Sequence, residues 1–180
     1  MNQNTSWVLA LTPLGIEQKY LLETLKKKTG WTEKSFGTLR VTFFKDLHLA
    51  VSVGGHGKTQ YALQAQYLIH ELKNVRGLIC VGAAGALSKE LNLGDVIVAS
   101  KTIEHDFRTG FMKQKEPEFL GYEPWLLSLQ TFQDPGFQLH TLMIASGDED
   151  ILRVDRVNEI IQQTSAQAVA WEGAGNGRVG

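Results

Sequence analysis

The amino-acid sequence predicts an α/β fold of three layers, with helices on both faces of a mixed, largely parallel central sheet. Short apolar runs rich in β-branched residues alternate with segments of helical spacing. The intervals between these runs suit parallel strands that are joined by crossover helices. The 180 residues are enough to bury a core, and no linker or internal repeat divides them. We therefore expect a single domain over residues 1–180.

The first half of the chain predicts four strands and two helices. Pro13 closes the first strand, and the helix that follows ends near Gly30. A turn around Lys45-Asp46 joins two alternating runs. In chain order, these elements are strand Trp7–Thr12, helix Ile16–Lys28, strands Arg40–Phe44 and Leu47–Val53, helix Lys58–Leu72 and strand Leu78–Val81.

The second half predicts three strands and one helix, separated by a long irregular segment. The predicted elements are strands Asp95–Ser100, Leu139–Ala145 and Ala166–Trp171 and helix Arg153–Gln163. Three prolines interrupt Phe107–Phe137, and loops of that length usually cover a site or carry an interface. The last eight residues contain four glycines, each of which costs about 1 kcal/mol in a helix, so we expect no helix there.

The composition excludes several classes of partner. With 18 basic and 19 acidic residues, the formal net charge of -1 gives no basic surface for nucleic acid or for a membrane. No apolar run approaches the roughly 20 residues that a membrane span needs. The single cysteine, Cys80, excludes an internal disulfide and fits a reducing compartment, so we expect a cytoplasmic protein.

Four common motifs are absent. The segment Gly57–Thr59 resembles the end of a P-loop, but Ser52 stands where that motif needs a glycine. The glycines around Gly82 lack the leading G-x-G of a dinucleotide site. The five histidines show no metal-ligand spacing, and Ser146–Asp148 lacks the glycine of a nucleophile elbow. No metal or organic cofactor is therefore expected.

The loop Val81–Leu87 is the most informative segment. It follows an apolar, β-branched run, and between its ends it contains only glycine and alanine. Such a loop has no long side chains that would hold a ligand away from the backbone, and strand-to-loop edges of α/β sheets bind small molecules. The alternative is a tight connection between a strand and a helix, and both explanations can hold together.

This loop and the motifs around it resemble the nucleoside phosphorylase/nucleosidase superfamily, most closely the 5'-methylthioadenosine/S-adenosylhomocysteine nucleosidases. The resemblance extends along nearly the entire chain. Its motifs are a G-x-G-K turn, the central glycine loop with the strand after it, an S-G-D strand end and a segment that usually reads V-x-M-E-G/A-A. In this sequence they are Gly55–Lys58, Val81–Leu87 with Leu93–Val98, Ala145–Asp148 and Ala168–Ala174.

The resemblance implies hydrolysis of the N-glycosidic bond between ribose and adenine in a purine nucleoside. The transition state resembles an oxocarbenium ion, so the reaction needs a carboxylate for the attacking water and an acceptor for the ribose hydroxyls. It also needs an acid at N7 of the purine. No metal or cofactor is implied. A homodimer is implied, with the segment from His105-Asp106-Phe107 into the irregular region Phe107–Phe137 supplying part of the interface or a wall of the neighbour's pocket.

By this resemblance, Glu17 is the water-activating carboxylate and Glu172 binds the ribose. Taken alone, Glu17 is also what a helix start favours, because acidic residues stabilise the first turn. Glu172 follows the apolar strand Ala168–Trp171, where a buried carboxylate needs a partner, and ribose hydroxyls would supply one. Trp171 stands where the family usually has Met, and it keeps an apolar surface against the sugar.

The remaining site residues also follow from the resemblance. The wall beside the base and the ribose is assigned to Ala83, Ala84 and Gly85. The segment that sandwiches and reads adenine is assigned to Glu149, Asp150 and Ile151, although the family usually has an aromatic residue where this chain has Asp150. His56 takes a position that is normally apolar, where it would meet a polar substrate, an acid or solvent.

Phosphorolysis and a silent homologue are the alternatives. The phosphorylase branch has an arginine and a hydroxyl where this chain has Cys80 and Ala83, so phosphorolysis is disfavoured. The family's purine-side acid is an Asp on a strand beyond the Glu172 segment, and no residue up to Gly180 matches it, so the resemblance leads us to expect a C-terminally truncated member of the family. We therefore expect slow turnover, a nucleoside-binding protein without catalysis, or an acid supplied from elsewhere in the chain or by a partner subunit.

Overall fold

The computed structural model describes residues 6–108 and 115–179, which divide into two compact units. Unit 1 comprises the described residues up to Ala83, together with Arg178 and Val179, and unit 2 comprises the described residues of Ala84–Gly177. Each unit contains helices and one five-stranded sheet with both parallel and antiparallel pairs. The predicted α/β class with mixed sheets is confirmed. Among the described residues, no helix is both long and apolar enough to cross a membrane.

Unit 1 contains five strands and two helices, with a short 3-10 turn between its third and fourth strands. Its elements are β1 Trp7–Thr12, α1 Gly15–Leu25, β2 Thr32–Phe36, β3 Leu39–Phe44, β4 Leu49–Val53, α2 Lys58–Leu72 and β5 Val75–Cys80. The strand order is β2-β3-β4-β1-β5. Strand β1 pairs in parallel with both β4 and β5, whereas β3 is antiparallel to β2 and β4. The parallel strands therefore lie together at one side of the sheet.

The core of unit 1 is formed by the strands and by one face of α2. This helix buries Tyr61, Ala65 and Leu68, which recur every three to four residues and so share one face. These side chains pack with Leu9 and Leu11 of β1 in a fully buried cluster. The predicted bounds of β1 and α2 match the structure. Helix α2 has the period that burial of one face requires, and β1 is a short apolar run that is buried at five of its six residues and ends before Pro13.

Unit 2 contains five strands and three helices. Its elements are β6 Gly85–Ala86, β7 Val96–Glu104, β8 Glu118–Leu120, α3 Glu123–Leu129, β9 Leu139–Ser146, α4 Val154–Thr164, β10 Ala168–Ala170 and α5 Gly173–Gly177. The strand order is β6-β10-β9-β7-β8. The three inner strands are parallel, and the two short edge strands are antiparallel to their neighbours. Ala145 of β9 and Ile160 of α4 are fully buried in its core.

Two predictions about unit 2 were wrong. The irregular segment contains β8 and α3, and Pro124 lies in the first turn of α3, where proline starts a helix rather than breaking it. The glycine-rich end forms the short helix α5. Two of its glycines are closely packed, because a Cβ at Gly177 would collide with the Phe119 ring and one at Gly173 would lie 3.0 Å from Thr102 Cγ2. Tertiary contacts therefore outweigh low helix propensity here.

Candidate functional site

In unit 1, three loops leave the sheet where neighbouring parallel strands end. The register pairs Leu11 of β1 with Cys80 of β5, and Thr12 of β1 with Val53 of β4. The loops that follow these strands lead to three predicted site residues, Glu17, His56 and Ala83. Because ligands of α/β sheets bind beyond the carboxyl ends of the strands, this edge is the candidate site of unit 1.

The carboxylate of Glu17 is held by two backbone donors. Glu17 lies in the first turn of α1, and its Oε2 accepts a hydrogen bond from the Leu14 N–H at 2.8 Å. Its Oε1 accepts a hydrogen bond from the Ala83 N–H, also at 2.8 Å. The structure thus brings two predicted site residues together, and it fixes the carboxylate against the glycine loop.

Gly82 makes this contact between the loop and the carboxylate possible. A Cβ at Gly82 would lie 2.9 Å from Pro13 Cδ and 3.0 Å from Glu17 Oε1. Such distances are shorter than carbon atoms tolerate, so any larger residue would displace the loop or Glu17. The glycine after β5 therefore has a packing role that the sequence indicates only as an open loop.

The G-x-G-K turn between β4 and α2 adopts a backbone that favours glycine. Gly55 and Gly57 have φ values of 88° and 83°, in the region where a Cβ is strained. Gly57 directly precedes α2. His56 lies between these glycines and is exposed. The spacing of the motif is thus explained by backbone conformation, and the histidine agrees with the surface position considered for it.

In unit 2, a second set of parallel strand ends carries the other predicted residues. The register places Ser146 of β9 beside Glu104 of β7 and beside Ala170 of β10. The three loops that follow contain His105 and Asp106, the segment Gly147–Ile151, and Trp171 with Glu172. Ala84 and Gly85 are exposed at the start of this unit, and Gly85 pairs with Val169 of β10.

Glu172 is buried, as predicted, in a turn that Ser146 holds. Only 5% of Glu172 is exposed, and the residue lies between β10 and α5. The Ser146 hydroxyl donates to the Trp171 carbonyl at 2.6 Å and accepts from the Ala174 N–H at 2.9 Å. The Glu172 carbonyl accepts from the Asn176 N–H at 2.9 Å. The backbone on both sides of the carboxylate is therefore fixed.

The carboxylate of Glu149 is bound by Arg156 of α4. Arg156 Nε lies 2.9 and 3.0 Å from the two oxygens of Glu149, and Arg156 Nη2 donates to Oε2 at 2.7 Å. The hydrogen bonds that Arg156 donates to Glu149 lower the pKa of Glu149 and raise the pKa of Arg156. Arg156 Nη2 also lies 3.3 Å from Nδ1 of the buried His105.

The three residues assigned to the base-reading segment therefore differ in their surroundings. The carboxylate of Glu149 is bound by the Arg156 guanidinium, whereas Asp150 is exposed. Ile151 is partly buried and packs against the core of unit 2. Of these three, Asp150 has the most accessible side chain.

A close approach of two loops orders the start of that segment. A Cβ at Gly147 would collide with the His105 imidazole and would lie 3.0 Å from Asp106 Cγ. The Asp148 N–H donates to Asp106 Oδ2 at 2.9 Å. The S-G-D strand end therefore has a glycine because the loop after β7 lies directly against it.

The sequence did not reveal the roles of Ser146, Arg156 and His105. Ser146 belongs to a motif that is visible in the sequence, but hydrogen bonds across neighbouring strands leave no periodic signal. Arg156 lies seven residues after Glu149, in the first turn of a helix, and a basic residue there is unfavourable for the helix dipole. This unfavourable position of a basic residue was the one signal in the sequence that pointed to a role for Arg156. In the part of the chain that the structure describes, no cluster of three metal-ligating side chains occurs.

Comparisons with known proteins show which folds and sequences this chain is similar to. A crystal structure of 5'-methylthioadenosine/S-adenosylhomocysteine nucleosidase from Campylobacter jejuni is similar, with a TM-score of 0.80 and 27% identity, and the match covers 97% of this chain and 79% of that one. An aminodeoxyfutalosine nucleosidase of the same species is 29% identical over 163 residues, 86% of this chain and 70% of that protein.

A third relative and a family profile extend the comparison. A 5'-methylthioadenosine/S-adenosylhomocysteine nucleosidase of Staphylococcus aureus is 28% identical over 137 residues, which are 71% of this chain. The match spans 60% of the length of that relative. The family profile described as the phosphorylase superfamily matches residues 8–175. The chain belongs to the phosphorylase superfamily.

Proposed function

We propose that this chain hydrolyses the N-glycosidic bond of a purine nucleoside. Glu17 activates the attacking water, and Glu172 accepts hydrogen bonds from the ribose hydroxyls while positive charge develops on the sugar. The water oxygen bonds to C1' of the ribose as the bond from C1' to the purine nitrogen breaks. Glu17 takes the proton that the water loses, and the base leaves with the bonding electrons and takes up a proton, so that one proton passes overall from water to the base.

The hydrogen bond from the Ala83 N–H to Glu17 is the observation that carries this proposal. It places a carboxylate at the glycine loop, which is where a ligand would lie against the backbone. A carboxylate at that position repels a phosphate anion, and it occupies a backbone donor that an anion would use. The geometry therefore supports water, rather than phosphate, as the nucleophile. The sequence supports the same choice, because Cys80 and Ala83 stand where the phosphorylase branch has its arginine and its hydroxyl.

The substrate that we propose is 5'-methylthioadenosine or S-adenosylhomocysteine. The resemblance of the motifs and the Staphylococcus aureus relative support it. Aminodeoxyfutalosine is the second candidate, because the relative named for that substrate matches a larger share of this chain. Ala83, Ala84 and Gly85 would line the base and ribose, with Trp171 on the sugar and Asp150 and Ile151 beside the base.

Adenine release, measured for the unaltered chain and for variants of its site residues, tests the proposal. We expect the unaltered chain to release adenine from 5'-methylthioadenosine, and Glu17→Gln to reduce kcat by about 10²- to 10⁴-fold. Glu23→Gln is the matched control, because Glu23 is an exposed glutamate of the same helix. Release that is unaffected by Glu17→Gln would contradict the role of Glu17. Binding of adenine without any release would favour the silent nucleoside-binding homologue.

We also propose that the chain forms a homodimer through the segment Phe107–Phe137. Residues 109–114 lie outside the described part of this segment. Exposed apolar side chains within the described part support the proposal, namely Leu120, Tyr122, Leu127 and Phe132. A cytoplasmic location, for which the single Cys80 is the argument, stays a prediction.

A further inference from the structure

We infer that Ser146 is a positioning residue that fixes Glu172 for ribose binding. The inference rests on the proposed function, in which Glu172 accepts hydrogen bonds from the ribose hydroxyls. Ser146 is the last residue of β9 and is fully buried. Its hydroxyl reaches across to the turn after the neighbouring strand β10, so one side chain links the end of β9 to the residues on both sides of Glu172.

The Ser146 hydroxyl makes this link through two hydrogen bonds, one as the donor and one as the acceptor. The Ser146 hydroxyl donates to the carbonyl of Trp171, the residue before Glu172, at 2.6 Å. The same oxygen accepts from the N–H of Ala174, two residues after Glu172, at 2.9 Å. A hydroxyl can perform both functions at once, since it has one donor and two acceptor lone pairs. The four-residue span Trp171–Ala174, which contains the carboxylate, is therefore held at both ends.

The neighbouring contacts bring this span directly against the adjacent strands, where the Ser146 hydroxyl can reach it. The Gly147 N–H donates to the Ala170 carbonyl at 3.3 Å, which ties the same two strand ends together. Gly173 lies close to both β7 and β9, because a Cβ there would be 3.0 Å from Thr102 Cγ2 of β7 and 3.7 Å from Ser146 Cβ of β9. The turn thus lies directly on β9, and the hydroxyl is the polar group that sets its register.

Loss of this hydroxyl has a specific functional consequence. In Ser146→Ala, the Trp171 carbonyl loses a donor and the Ala174 N–H loses an acceptor, so the turn relaxes toward other partners. Glu172 then moves relative to the ribose, and its hydrogen bonds to the hydroxyls weaken. A small displacement suffices, because hydrogen bonds depend steeply on distance and angle. Ser146 itself touches no substrate in this account.

A comparison of two ligands separates positioning from a general loss of structure. The dissociation constant is measured for 5'-methylthioadenosine and for its 2',3'-dideoxy analogue, with Glu17→Gln present in every variant so that the ligand is not consumed. Ser146→Ala is expected to weaken binding of 5'-methylthioadenosine about tenfold, which is the loss of roughly one good hydrogen bond. Binding of the dideoxy analogue is expected to change less than about twofold, because it has no hydroxyls for Glu172 to hold.

Thr164→Val is the matched control. Thr164 is also buried in unit 2, and its hydroxyl likewise donates to a carbonyl, that of Ile160 at 2.7 Å, and accepts from an N–H, that of Ala166 at 3.1 Å. Its loss disturbs the end of α4 to a comparable degree, but it leaves the turn at Glu172 intact. The two ligands are therefore expected to respond equally to Thr164→Val. If Ser146→Ala does not fold, Ser146→Cys is compared in the same way, because sulfur weakens both hydrogen bonds without deleting the group.

The possible outcomes distinguish the inference from the proposed function. An unchanged affinity for 5'-methylthioadenosine in Ser146→Ala, or an equal loss for both ligands, overturns the positioning role while the proposed function stands. Glu172→Gln provides the reference, and it is expected to discriminate between the ligands at least as strongly as Ser146→Ala. If Glu172→Gln does not discriminate, or if the chain binds neither ligand, the proposed function fails and the inference falls with it.

Discussion

At the scale of single residues, the two proposed carboxylates are prepared in different ways. Glu17 is half-buried, and both of its oxygens accept hydrogen bonds from backbone N–H groups, one of them in the glycine loop. Glu172 is buried in a turn whose backbone is bound by Ser146. A carboxylate whose position is fixed before the substrate arrives has no ordering cost left at the moment of reaction.

A third carboxylate, Glu149, has a structural partner, and this predicts a dependence of stability on pH. Arg156 holds the pKa of Glu149 below its usual value of 4.5 in the folded chain. The ion pair therefore contributes stability that is present above about pH 4.5 and is lost as the pH falls through the lowered pKa. Because 37% of the Glu149 side chain is exposed, solvent screening limits this contribution to about 1 kcal/mol.

Urea denaturation at neutral pH and near pH 3 measures this effect. We expect the unaltered chain to lose stability on acidification. Part of this loss should be absent in Glu149→Gln, because glutamine has no proton to gain at that position. Glu71→Gln, an exposed glutamate of α2, is the control and should leave the pH profile of the unaltered chain in place. An identical acid loss in Glu149→Gln and in the unaltered chain would show that the pair contributes nothing.

At the scale of elements, the sequence predicted best the helix that buries one face and the strands that are short apolar runs. Helix α2 has the predicted bounds, and β1 and β9 differ from prediction by at most one residue. Strand β2 was missed because four of its five residues are exposed, so the segment has little hydrophobic alternation to detect. Helix α3 was missed because Pro124 was interpreted as an interruption. These elements depend on edge pairing and on turn geometry, neither of which leaves a periodic pattern.

The candidate site likewise has some parts that the sequence predicted and others that it did not. The glycine loop, Glu17 and Glu172 were recognised from motifs, because unusual residue types such as glycine or a lone acid stand out from an apolar strand. The hydrogen bonds of Ser146 and the ion pair of Arg156 join residues that are 7 to 28 positions apart. Such pairings depend on the register of the strands, which the sequence alone does not specify.

Helix α5 yields a prediction that reverses the usual effect of replacing glycine in a helix. Alanine favours a helix over glycine by about 1 kcal/mol, yet a Cβ at Gly177 would meet the Phe119 ring. We therefore expect Gly177→Ala to destabilise the chain by about 1–3 kcal/mol, the usual cost of overpacking. Gly15→Ala in α1 is the control, because nothing lies within 4 Å of its Cβ position, and it should be neutral or stabilising. Thermal unfolding of both variants provides the measurement, and a stabilised Gly177→Ala would refute the packing argument.

At the scale of the whole molecule, two units share one architectural principle. In each, parallel strands end side by side, and the loops beyond them carry the proposed site residues. That residues 1–180 form a single domain stays a prediction. The chain's membership of the phosphorylase superfamily rests on a match that runs through both units, over residues 8–175.

The proposed homodimer also belongs to this scale. Leu120 is 82% exposed on the edge strand β8, within the proposed interface segment. A charge there would be buried without a partner on association, so Leu120→Glu is expected to shift the chain toward monomer. Leu63→Glu, at a leucine that is 68% exposed on α2, is the control and should not change the association state. Sedimentation over a range of concentrations measures both, and an unaltered chain that stays monomeric at high concentration would exclude the dimer.

The most direct test of the central claim is the origin of the oxygen in the sugar product. The chain is incubated with 5'-methylthioadenosine in ¹⁸O-water that contains phosphate, and the products are examined by mass spectrometry. If Glu17 activates water, the released sugar carries ¹⁸O at C1' and no sugar phosphate is formed. Adenine release that requires phosphate and yields a sugar 1-phosphate would contradict the account, as would the absence of any release from a folded chain.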